Sequence, residues 1–165
     1  MQIAAGPDAV AQESTRVLGV AANATQATYD LEKWSSVVFV GYGLDLMSAV
    51  AALEMEQRLA SFYGLPSTDD LEGQLASPAI VEYRAEVDML GSMSADDPPF
   101  FVHNTLPATL PTDQGVLFHH PYHARALRDR AAEVGVDCTA TIEALDIEDS
   151  PGESDWEFLL EALGV

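Results

Sequence analysis

The chain has 165 residues, 48% of them hydrophobic and 21% charged, which is enough for one domain with a substantial core. Its 27 acidic residues against 7 basic ones leave a net charge of −20. That argues against nucleic acid and anionic membrane as partners, because both demand a cationic face. No apolar run approaches the length of a bilayer span and no basic segment leads into one near the start, so a cytoplasmic protein is expected.

Residues 1–13 are small and polar and read as a poorly ordered lead-in. The continuous apolar run over 16–23 (Arg16-Val-Leu-Gly-Val-Ala-Ala-Asn23) predicts a strand buried on both faces, as in a parallel sheet. Residues 24–43 are irregular and aromatic, with Tyr29, Trp34, Phe39 and Tyr42. These rings suit a plain core or the wall of an apolar ligand pocket. Leu46, Val50, Leu53, Met55, Leu59 and Phe62 then predict one helix over about 46–63, closed by Gly64. Ser77-Pro78 predicts the capped start of a second helix, running to about Leu90.

Asp96-Asp97-Pro98-Pro99 punctuates the chain before a second buried strand, Phe100–Asn104. Pro107 and Pro111 break the chain after that strand. Pro121 suits the first position of a helix to Val134, with Ala124, Leu127, Ala131 and Val134 inward and Gly135 closing it. Residues 137–142 predict a third strand, and Trp156–Leu163 a final helix before Gly164. Residues 99–142 thus form a βαβ unit with a right-handed crossover. The expected fold class is α/β with a parallel sheet, in a single domain spanning 1–165.

The densest polar cluster is Phe118-His119-His120-Pro121-Tyr122-His123, with Asp113 just upstream. His119 and His123 are four residues apart, a spacing that puts two imidazoles on one helical face and suits zinc or general-base chemistry. No H-E-x-x-H pattern accompanies them, and the favoured reading is structural, with His119 or His120 capping the helix. No metal or cofactor is expected. His103 and Asn104 end a strand where α/β sheets bind ligands, so His103, Asn104, His119 and His123 are the candidate ligand-binding residues. The acidic stretch 146–155 departs from a calcium loop and reads as solvated. Cys138 is the lone cysteine, set in an apolar run and read as a buried structural thiol.

The run Asp96-Asp-Pro-Pro-Phe-Phe-Val-His-Asn-Thr105 resembles the penultimate core strand of esterase/lipase-type α/β-hydrolases, where D-D-P-P precedes an apolar strand and H-G-T-x-D. Residues 132–142 resemble that family's next helix and last strand, Asp155–Leu160 its C-terminal helix, and Glu13–Val17 the approach to the strand after its nucleophile helix. The resemblance covers the C-terminal half of the parent fold and implies that residues 24–95 are a lid-like insertion. The family's machinery is missing. There is no G-x-S-x-G elbow, the nearest pentapeptide being Gly41-Tyr-Gly-Leu-Asp45, and no H-G-G loop. Pro107 stands where the acid belongs, and no histidine follows His123. The family's triad mechanism is therefore excluded from this polypeptide alone. The expectation is a catalytically degenerate hydrolase-like module with a structural or small-ligand-binding role. The alternative is an esterase-like hydrolase whose serine comes from a partner, or one working through His119 and His123. A strand at 16–23 without its neighbours further predicts a homodimer through that edge, or a separate N-terminal half.

Overall fold

A computed structural model describes residues 16–165, and the expected lead-in over 1–13 lies outside the described residues. A four-stranded sheet runs in the order β1-β2-β3-β4, formed by Val20–Asn23, Phe100–Asn104, Cys138–Ile142 and Ile147–Glu148. β1 and β2 are parallel in the register Val20 to Phe100, and β2 and β3 are parallel in the register Phe100 to Cys138. β4 adds an antiparallel edge, pairing Thr141 with Glu148. The class is α/β and the sheet is mixed, mostly parallel, rather than all parallel. Two residues of β4 after an acidic turn give no hydrophobic run from which a strand could be read.

Helix α7 (Pro121–Val134) covers one face, where Ala124 packs with Val102, Ala140 and Ile142. Helix α8 (Asp155–Leu163) covers the other, with Phe158 5.9 Å from Phe101 between ring centroids. Gly19 allows this approach: a Cβ there would lie 2.8 Å from the Ala162 Cβ and 3.4 Å from the Phe158 ring. Ser154 and Glu157 close a reciprocal capping box at the start of α8, and Gly164 ends it at φ 73°.

Three expectations need correction. The apolar run over 16–23 is strand only from Val20, and Val17, Leu18 and Val20 are 54%, 51% and 43% exposed. It is an edge strand, not one buried on both faces, because no described residue pairs on its outer side and α7 lies over β2 and β3. The helix expected over 46–63 is two, α1 (Leu46–Ala52) and α2 (Glu56–Phe62), parted by Glu54 at φ 52°. Leu46 and Val50 form one stripe; Met55, Leu59 and Tyr63 form another, rotated from it. A straight helix cannot aim both at one core, whereas the break buries all five residues. The helix expected from Pro78 to Leu90 stops at Glu86 as α4 (Pro78–Glu86), with a separate turn, α5 (Met89–Ser92), after it. Asp88 causes the interruption: it accepts from Thr28 Oγ1 at 2.9 Å and pairs with Lys33, while Val87 O accepts from Tyr29 N–H at 3.2 Å. Ser77 precedes Pro78 as expected, but its hydroxyl makes no cap bond.

The larger core lies away from the sheet. Trp34, Val38, Phe39, Leu46, Val50, Met55 and Leu59 are buried with Leu117 of α6 (Gln114–Phe118) and Ala126 of α7. The segment 24–95, with short helices α3 (Leu71–Leu75) and α4, thus builds most of the apolar interior.

Candidate functional site

The carboxyl end of β2 and the turn between α6 and α7 bring most of the candidate residues to one place. Asn104 is fully buried as the last residue of β2. Its Nδ2 donates to His119 O at 2.9 Å, and its Oδ1 accepts from Leu106 N–H at 2.9 Å. Its amide therefore shapes the loop on either side. His119, exposed at the end of α6, places Nδ1 2.6 Å from Ala24 O, so Nδ1 carries the proton and donates. His123 is fully buried, and its Nδ1 accepts from Ala27 N–H at 3.3 Å. Its Nε2–H donates to Leu117 O at 3.1 Å. His120 is the N-cap of α7: Nδ1 accepts from Tyr122 N–H at 3.2 Å and Nε2–H donates to Thr109 O at 3.1 Å.

These imidazoles staple the chain after β1 to the α6–α7 turn. Ala24 O is held by His119, Ala24 N–H donates to His103 O at 2.8 Å, and Ala27 N–H is held by His123. Ala24 itself sits at φ 45°. Aromatic rings enclose the buried imidazoles. Trp34 lies 4.9 Å from His123, Phe39 5.3 Å from His123 and 5.1 Å from His120, and Tyr42 5.4 Å from His120. Burial pushes the His123 pKa down to about 3, with the neighbouring His120 and His119 adding to the shift against the Leu117 carbonyl. Burial also lowers that of His120. Both rings are neutral at ordinary pH, and neither nitrogen of either ring is spare.

The remaining candidates separate from this knot. His103 is half-buried on the opposite face of β2, with Phe101 6.4 Å away. Asp113 caps α6 by accepting from Val116 N–H at 2.9 Å and takes no part in the histidine cluster. No group of three or more histidine, cysteine or acidic side chains stands ready for a metal ion among the described residues. Cys138 is half-buried, and burial pushes its thiol pKa up to about 12, which keeps it protonated. None of the hydroxyls or thiols among the described residues is bonded to an imidazole. No described helix is long and apolar enough to cross a membrane.

The aromatic segment 24–43 divides in the same way. Phe39 is plain core, and Tyr42 donates its hydroxyl to Ala108 O. Tyr29 and Trp34, however, also border a cavity of about 230 Å³ with Met55, Arg58, Phe62 and Phe118. Arg58 carries no site signal in the sequence, because an isolated arginine on a short helix reads as a solvated face, and Phe62 reads there only as part of a helix's apolar stripe. No protein-family model, curated protein or solved structure matches the chain.

Proposed function

We propose that the chain is a cytoplasmic, non-catalytic α/β module with the architecture of a partial α/β-hydrolase, acting as a structural or small-ligand-binding unit. The observation that carries this reading is the state of its histidines. A hydrolytic base needs a free, titratable imidazole beside a nucleophile. Here His120 and His123 spend both nitrogens on backbone groups, are neutral, and sit inside an aromatic core. The order β1-β2-β3 with helices on both faces accords with the hydrolase-like reading.

Turnover of p-nitrophenyl acetate and butyrate is expected to match a free-histidine background, and a fluorophosphonate probe is expected to leave the protein unlabelled. Stoichiometric labelling of one serine, or ester turnover lost in His119→Ala, would overturn the proposal. As partner we propose a second copy, meeting the first across the edge of β1 that no described residue pairs with.

A further inference from the structure

We infer that the cavity between α2 and the aromatic segment is a binding site for a compact monocarboxylate with an aromatic or branched apolar body. The inference rests on the ligand-binding reading proposed above and names its ligand class. The floor is apolar and buried: Trp34, Met55 and Leu59 are all no more than 1% exposed. The rim is aromatic, with Tyr29 and Phe62 in ring contact at 5.7 Å. At about 230 Å³ the space exceeds the roughly 150 Å³ apolar cavity that accepts benzene. It therefore has room for one aromatic ring and a small polar head.

Charge selects the head. Four larger clefts all carry carboxylates in their walls: Asp129 and Glu133 in one, Asp97 in another, Glu143 and Asp149 among the rest. This cavity has none, in a chain with 27 acidic residues. It has Arg58 instead. Lys33, Arg84, Arg128 and Arg130 are bound to carboxylates, whereas Arg58 has no ion pair or hydrogen bond among the described residues. Its guanidinium lies 5.3 Å from the Phe118 ring centroid. A guanidinium held against a ring keeps N–H donors for a carboxylate, which it can grip bidentately. The Gln26 carboxamide, also on the rim and without a side-chain partner among the described residues, offers one more donor. An apolar pocket with a few convergent polar groups is the usual form of a small-molecule site.

The two tryptophan indole signals of a nitrogen–proton correlation spectrum provide the test. Trp34 walls the cavity and donates its indole N–H to Thr28 O at 3.0 Å, whereas Trp156 is 65% exposed elsewhere. Benzoate is expected to shift the Trp34 signal saturably and leave Trp156 in place, with neutral benzamide binding more weakly. Arg58→Met, an exposed change that spares the core, is expected to weaken benzoate about tenfold or more and leave benzamide unchanged. In the unaltered protein, molar salt is expected to weaken benzoate but not benzamide. Absence of a Trp34 shift at tens of millimolar benzoate overturns the inference, as does equal benzoate affinity in Arg58→Met. Ester turnover instead overturns the non-catalytic reading, so the two failures are distinguishable.

Discussion

His123 shows how a residue type associated with catalysis becomes a structural fastener. Its ring replaces two backbone partners that the sheet cannot supply, the Ala27 N–H and the Leu117 carbonyl. A second ring proton would face the Ala27 N–H, so the fold resists protonation. The unfolded chain takes up that proton near pH 6.5, whereas the folded chain does so only near pH 3. The stability this group supports is therefore fully present above pH 6.5 and is lost as the pH falls toward 3. The expected slope is up to about 1.4 kcal/mol per pH unit. Urea titrations across this window are expected to show the decline. His123→Leu should flatten it while costing about 2–4 kcal/mol at neutral pH, because two buried backbone groups lose their partners. An unchanged slope in the variant would assign the acid sensitivity to other groups, such as Asp149, which Arg128 holds below the usual carboxylate range. Cluster, spacing and capping role were readable from His119-His-Pro-Tyr-His123. Their partners were not, because the Ala24 and Thr109 carbonyls and the Ala27 N–H are backbone groups remote in the chain.

At the scale of elements, local punctuation was reliable and tertiary interruption was hidden. Pro121 and Gly135 bound α7, Gly164 ends α8, and the Asp96–Pro99 turn precedes β2, because each acts through its own backbone preference. The breaks at Glu54 and Val87 have no such residue. They arise from the rotated stripe of α2 and from Asp88 reaching Thr28 and Lys33. Glu54 is exposed and holds φ 52°, a conformation costing a non-glycine residue about 1 kcal/mol. Glu54→Gly is accordingly expected to raise the melting temperature by roughly 2–4 °C. Gly19→Ala provides the opposite case. Its new methyl would meet Ala162 at 2.8 Å, so α8 must shift from the sheet at a cost of about 1–3 kcal/mol. Thermal unfolding followed by circular dichroism checks both. A neutral Gly19→Ala would show that α8 is loosely seated on β1.

The whole molecule presents one side with no cover among the described residues. Val20 N–H and Ala24 N–H donate to Pro99 O and His103 O, which turns the backbone groups of Ala21 and Asn23 away from β2. Such an edge is a template for another strand. Above it α8 carries Trp156 and Leu163, 65% and 62% exposed, and Val165 just past its end is 85% exposed. Below it, Val20, Ala22, Phe100 and Met93 line an open cleft of about 530 Å³. Residues 17–28 contain no ionisable side chain, so β1 itself brings no like charges together, and the carboxylates near the interface are the exposed Asp155, Glu157 and Glu161 of α8. A two-fold axis normal to the sheet would pair β1 antiparallel with its mate and set the two α8 helices side by side, burying the exposed side chains of both. The proposed dimer needs roughly 800 Å² from each partner. Light scattering at micromolar protein is expected to give about twice the 17.7 kDa chain mass. The dimer fraction is expected to rise with salt as the remaining charge is screened. Leu163→Glu, an exposed change placing a carboxylate against its symmetry mate, is expected to yield a folded monomer. A 17.7 kDa species at all salt concentrations, or a dimer indifferent to Leu163→Glu, would mean that the edge is covered in another way.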